Sequence, residues 1–262
     1  MTWRNAWGAM GVALTLAAWT GGARADDVAV AVAANFRAPM EAIALEFKRL
    51  TGHNIVASYG STGKLYAQIR NGAPFEVLLA ADDKTPARLE QDGAGIPGTR
   101  FTYAIGTLVL WSAKPGLVDI RGDILRAGTG AGADAGGVAH IALADPQLAP
   151  YGSAAVQALQ ALGLYESLRP RIVTGEDIGQ TYQFVASGNA ELGFVALSQV
   201  SLEGELVSGS AWIVPRNLYT PIRQDALLLT PGRDKPGPLA LLEFLRGDRA
   251  RAIITRFGYS AP

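Results

Sequence analysis

Apolar positions follow two alternating rhythms along this chain. Residues 28–33 form a continuous apolar run of the kind buried on both faces of a parallel sheet. Phe36, Met40, Ile43, Ala44, Phe47 and Leu50 then recur along one helical face. Pro39 fits only the first turn of that helix, where a missing N–H is tolerated, and Gly52 supplies the stop. A short strand is expected over 55–58, then a helix over 64–70 carrying Leu65 and Ile69 and ended by Asn71-Gly72. A strand over 75–81 and a short helix over 86–91 follow. Strand–helix alternation of this kind implies βαβ units and a parallel sheet, hence an α/β fold.

The second half repeats the rhythm with longer strides. Residues 103–113 are apolar up to Lys114-Pro115-Gly116, long enough for a strand that leaves one lobe and enters another. Strands are expected at 141–144, ending in Asp145-Pro146, at 171–173 and at 192–197. Helices are expected at 153–162, with Val156, Leu159 and Leu162 inward, and at 178–186. Residues 222–230 would carry the chain back, and 238–246 and 249–257 read as closing helices. The division that results is 26–106 with 224–262 as lobe I and 107–223 as lobe II.

The N-terminus changes the setting. Met1-Thr2-Trp3-Arg4-Asn5 has one positive charge, residues 6–20 are apolar, and Ala23-Arg24-Ala25 has the A-x-A form of a cleavage site. Residues 1–25 therefore read as a secretory signal peptide, too short in its apolar part to span a bilayer comfortably. No Cys follows it to carry a lipid anchor, so a soluble, exported protein is expected. Lys+Arg and Asp+Glu both number 23, which gives no field for nucleic acid or membrane. Without Cys there are no disulfides, no thiolate nucleophile and no zinc–thiolate site, and the two His lie far apart at 53 and 140. The Gly/Ala-rich stretch 128–137 can be forced onto G-x-G-x-x-A. It follows an expected helix at 123–126 and precedes a strand, the reverse of a nucleotide fingerprint, and reads as a surface loop.

Four segments place small or polar residues where an apolar run meets a helix: Ala34-Asn35-Phe36, Gly60-Ser61-Thr62-Gly63, Ala149-Pro150-Tyr151-Gly152-Ser153 and Gly175-Glu176-Asp177-Ile178-Gly179. A helix N-terminus offers unpaired N–H groups and partial positive charge, so it can hold an oxyanion without Lys or Arg. Four such junctions over two halves suggest an anion clamped between lobes. A hydrolase is the competing chemistry, with Ser61 between glycines and His140 and Asp145 as partners, although Gly60-Ser61-Thr62-Gly63 is not G-x-S-x-G. Asp82-Asp83 could be a carboxylate pair or simply a solvated or hinge-facing one.

In order along the chain, these junctions resemble those of the periplasmic molybdate-binding proteins of bacterial molybdate ABC importers. The segments that carry the resemblance are Ala33-Ala34-Asn35-Phe36, Gly60-Ser61-Thr62-Gly63 with Tyr66-Ala67-Gln68-Ile69, Asn71-Gly72-Ala73-Pro74, Asp145-Pro146 with Ala149-Pro150-Tyr151-Gly152, and Leu192-Gly193-Phe194-Val195. The resemblance implies a two-lobe fold of the type II periplasmic-binding kind, each lobe a mainly parallel sheet flanked by helices. It implies an oxyanion in the cleft, held by uncharged donors alone. Carried over by position, Asn35 is the polar ligand of the first loop with the Ala34 backbone beside it. Thr62 is the hydroxyl ligand of the second, preceded by Ser61, and the other lobe supplies Tyr151 and the backbone N–H of Ile178. Asp177 is expected to cap its own helix and point away from the anion. Many relatives have Ser where this chain has Asn35, and a Tyr in the segment where Ala196 stands, so here the phenol would have moved to Tyr151.

The same resemblance implies molybdate and tungstate binding in the periplasm for an inner-membrane ABC permease, by a monomer that is no enzyme. No cofactor, no nucleic acid and no direct protein–molybdenum bond are implied. A pocket of donors alone disfavours hydrogen phosphate, whose proton would be buried without an acceptor, whereas sulfate must be rejected by size. The alternatives are a protein of the same fold for sulfate, thiosulfate or an organic anion, and a ligand-sensing module acting through a partner.

Overall fold

The computed structural model describes residues 25–127 and 138–262, so the leader and the Gly/Ala-rich stretch lie outside the described residues. In chain order the elements are β1 (Asp27–Ala33), a 3-10 turn (Ala34–Phe36), α1 (Arg37–Thr51), β2 (Asn54–Gly60), α2 (Thr62–Arg70), β3 (Val77–Leu79), α3 (Lys84–Gln91) and β4 (Phe101–Gly106). Then come β5 (Leu108–Ser112), α4 (Ile124–Ala127), β6 (Ile141–Ala144), α5 (Pro150–Ala161), α6 (Tyr165–Leu168), β7 (Ile172–Gly175), α7 (Ile178–Ala186) and β8 (Leu192–Ala196). The chain closes with α8 (Leu197–Val200), β9 (Ser201–Leu202), β10 (Glu205–Leu206), β11 (Ser210–Ile213), β12 (Ile222–Leu228), α9 (Pro236–Arg246) and α10 (Asp248–Arg256).

Two five-stranded sheets result, ordered β2-β1-β3-β12-β4 and β11-β5-β8-β6-β7. In the first, β1 runs parallel to β2 and β3, and in the second β6 runs parallel to β7 and β8. The antiparallel pairings are made by β4, β5, β11 and β12, next to where the chain passes between sheets. The single strand expected over 103–113 is two, β4 in one sheet and β5 in the other, with Thr107 between them. Both sheets are therefore mixed.

The helical face read from the sequence packs as it should. Met40, Ile43 and Phe47 are fully buried against β1 and β12 with Leu241 and Ile254 of the closing helices. Leu50, counted on that face, is 44% exposed in the last turn of α1. Gly52 ends the helix with φ 78°, its N–H bonded to Lys48 O at 2.9 Å. The second sheet has its own core around Leu108, Leu143, Leu159 and Phe194, and Trp111 stacks on Tyr182 with ring centroids 5.2 Å apart. The β9–β10 hairpin, α6 and α8 have no clear signal in the apolar rhythm, being only two to four residues long.

Candidate anion site between the sheets

The register of the parallel strands builds the site. Ala33 pairs with Gly60 at the last position of β1 and β2, and Ala144 pairs with Gly175 at the last position of β6 and β7. In each sheet two parallel strands thus end level with one another. The 3-10 turn, α2, α5 and α7 start from those ends or shortly after them. Ligands of open α/β sheets sit beyond the carboxyl ends of strands for this reason. The closeness of α5 to its sheet depends on Gly152, where a Cβ would fall 2.1 Å from Ala144 O.

Between these ends lies a cavity with about 10 Å³ open to the centre of a water molecule, lined by Ala34, Asn35, Ser61, Thr62, Tyr151 and Ile178 among others. All six residues singled out in the sequence therefore line one cavity. Neither Lys nor Arg is among its described lining residues. Asp177 is, but its Oδ1 accepts from Gln180 N at 2.9 Å, capping α7. The carboxylate is thus engaged by its own helix, as expected of it.

The donors differ in how they are held. Ser61 makes no side-chain cap to α2. Among the described residues, its Oγ is the buried side-chain polar atom left without a hydrogen-bond partner. Thr62 Oγ1 accepts from Ala81 N at 3.0 Å, which leaves its own proton to give elsewhere. Tyr151, 1% exposed, accepts from Gln224 Nε2 at 3.2 Å. Burial holds the Tyr151 phenol well above its ordinary pKa, so it remains a neutral donor. Ile178 is the first residue of α7, ahead of the first helical bond from Thr181 N to Asp177 O. Its N–H belongs to the unpaired set at a helix start.

Asn35 is held otherwise than the sequence suggests. It was expected to offer amide hydrogens to the anion, but Nδ2 donates to Gln224 Oε1 at 2.9 Å and to Tyr259 OH at 2.8 Å. Both amide hydrogens are thereby taken, and what remains on the donor side is the backbone. The 3-10 turn closes with a bond from Arg37 N to Ala34 O, and the N–H groups of Ala34 and Asn35 stand at its start, in the unpaired set.

Behind the lining lies a buried network that the sequence reading missed. Tyr103 OH lies 3.0 Å from both Ala80 O and Gln224 Oε1. Tyr259 OH and Ser198 Oγ each donate to Asn35 O at 2.9 Å. Burial raises the pKa of Tyr103 well above normal and pushes Tyr259 up to about 12. The available signal was Gln224 and Asp225, two polar residues of the run Arg223-Gln224-Asp225 in a strand that is otherwise apolar. Each is at most 1% exposed.

The two sides also meet directly. Gly63 N donates to Leu148 O at 2.9 Å, and Lys64 pairs with Glu176 at the rim. The hydrolase arrangement is not formed, because Ser61 Oγ has no hydrogen-bonded base, His140 is exposed and Asp145 Oδ1 accepts from Gln147 N. Asp82 uses its carboxylate on Thr85 N and Oγ1, at the start of α3.

A model of the bacterial extracellular solute-binding proteins matches residues 28–260. The molybdate-binding protein ModA of Azotobacter vinelandii is 54% identical over 237 residues, 90% of this chain and 91% of that one. Its namesake from Rhodobacter capsulatus is 47% identical over 238 residues, 90% of this chain and 89% of the other. The solved structure of the Azotobacter vinelandii periplasmic molybdate-binding protein superposes with a TM-score of 0.84 at 44% identity, covering 90% of this chain and all of that one. The chain belongs to the family of bacterial extracellular solute-binding proteins that includes these molybdate-binding proteins.

Proposed function

We propose that this protein captures molybdate, and tungstate by the same chemistry, outside the cytoplasm and passes it to an ABC permease. The observation that carries the reading is the cavity without Lys or Arg among its described lining residues and with the unpartnered Ser61 hydroxyl in its wall. A fully deprotonated tetrahedral dianion needs donors at every oxygen and can donate to none. Ser61, Thr62 and Tyr151 hydroxyls and the N–H groups of Ala34, Asn35 and Ile178 form such a set. The small cavity disfavours an organic anion, and leaves sulfate as the competitor of like charge and shape. A rigid site set for the larger ion leaves sulfate with stretched hydrogen bonds.

The finer assignments belong to the same proposal. Residues 26–106 with 224–262 form one lobe and 107–223 the other, residues 1–25 are removed on export to the periplasm, and the protein works as a monomer without nucleic acid, cofactor or catalysis. Calorimetric titration of the mature protein with molybdate, tungstate, sulfate and phosphate tests the reading. Tight binding of the first two is expected. Sulfate binding as tight as molybdate would remove size selection, and a silent molybdate titration would remove the function.

A further inference from the structure

Gln224 joins the two sides of the cavity from behind. It is fully buried and stands in β12 where the register against β4 shifts, between Gln224 and Asp225. It is not among the residues lining the cavity. A primary amide has two ends of opposite polarity, an oxygen that only accepts and an NH2 that only donates. Oε1 accepts from Asn35 Nδ2 at 2.9 Å and lies 3.0 Å from Tyr103 OH, so its two lone pairs face two donors. Nε2 donates to Tyr151 OH at 3.2 Å. The direction of the whole chain of bonds follows from which way round this one amide sits.

The consequence falls on Tyr151. A phenol oxygen that receives a hydrogen bond from one side keeps its own proton for another partner. The Gly106 backbone crowds the same side, since a Cβ there would come 2.1 Å from Tyr151 OH and 2.7 Å from Gln224 Nε2. We propose that Gln224 is a positioning residue, which fixes the Tyr151 O–H as a donor toward the oxyanion while it holds the Asn35 amide in place. A Glu there would present only acceptors and draw the phenol proton back. An apolar residue would leave the hydroxyl free to turn to other neighbours. The inference rests on the molybdate-binding reading and adds to it a residue outside the contact set.

A double-mutant cycle separates this role from a merely structural one. Molybdate dissociation constants are measured by calorimetry for the wild type, Gln224→Met, Tyr151→Phe and the double variant, with melting curves of each ligand-free protein. Each single change should weaken binding roughly tenfold. In the Tyr151→Phe background, Gln224→Met should add less than about threefold, because the group it orients is already gone. Wild-type affinity in Gln224→Met, or a loss of equal size in both backgrounds, would overturn the proposal. So would wild-type affinity in Tyr151→Phe. The functional reading itself fails only if the wild type ignores molybdate, which is a different result. Should Gln224→Met not fold, Gln224→Glu keeps the acceptors for Asn35 and Tyr103, loses the donor and adds a charge. Its loss of affinity should also shrink in the Tyr151→Phe background. An undiminished loss there would assign the effect to charge and end the proposal.

Discussion

Two cavities lie side by side between the sheets, sharing Ala81, Ala149 and Pro150, and they are built on opposite plans. The cavity proposed for the anion opens about 10 Å³ to the centre of a water molecule and is lined by hydroxyls, small residues, helix starts and Asp177. Its neighbour opens about 230 Å³ and carries Asp82, Asp83, Lys84 and Arg223. Lys and Arg thus line only the roomy cleft, and the tight one has neutral donors and a single carboxylate, Asp177, which caps α7. A buried Lys or Arg would attract any anion and would have to be stripped of water. Fixed neutral dipoles attract less, but they report the ion's size through hydrogen-bond length. Selectivity between dianions of equal charge calls for the second plan.

Putting a second carboxylate into the cation-free cavity should have the largest effect. At about 4 Å and an effective dielectric near 20, a carboxylate repels a dianion by several kcal/mol. Ser61→Asp should therefore weaken molybdate binding by more than about a thousandfold, while the ligand-free protein still melts cooperatively. Retained binding in this variant would show that the ion does not meet Ser61.

Thr62→Val comes next, and its effect is double. The hydroxyl lost to the ligand is worth about 1.5–3 kcal/mol, or roughly ten- to a hundredfold in affinity. The same oxygen accepts from Ala81 N at 3.0 Å, so the ligand-free protein should also lose about 1–3 kcal/mol as that buried N–H goes unpaired. Calorimetry paired with denaturant melts reads both numbers, and an unchanged affinity would remove Thr62 from the site.

Ser61→Ala should split the two quantities. Affinity should fall about tenfold, yet ligand-free stability should hold or rise, since the deleted hydroxyl is buried and unpartnered without ligand. A loss of stability large enough to explain the weaker binding would make Ser61 a structural residue. The adjacent pair Ser61 and Thr62 thus tests the same plan with opposite signs on folding.

The positions of the donors were legible in the sequence because they follow from strand ends. An apolar run that stops at Gly60 or Ala144 and a helix that starts within a few residues locate Ser61, Thr62 and Tyr151 whatever the rest of the fold does. What each side chain bonds to was not legible. Asn35 faces a strand almost two hundred residues away in sequence, Gln224 being its partner, and no local pattern encodes that meeting. The crossing at Thr107 was hidden for a related reason. Both β4 and β5 are apolar, so periodicity runs through the joint, and only pairing with different sheets divides them. Local rhythm gives elements, and long-range hydrogen bonding decides which atoms are free.

The smallest effect belongs to the charged cavity. Burial raises the Asp82 carboxyl above its ordinary pKa, against the lowering hydrogen bonds from Thr85 N and Oγ1 and with a further push from Asp83. A folded-state pKa above the unfolded one stabilises the fold fully below the unfolded pKa, and that contribution is lost as pH rises through the folded value. Burial thus disfavours the charged form of the Asp82 carboxyl. Asp82→Asn retains an oxygen to accept from Thr85 N and removes that charge. Ligand-free melting at neutral pH should be equal or higher than wild type. The gain should vanish in acid, where Asp82 is protonated anyway. Molybdate affinity should stay within about twofold, since Asp82 is not among the residues lining the cavity proposed for the ion. A tenfold change in either direction would break the contrast between the cavities and bring the charged cleft into the binding site.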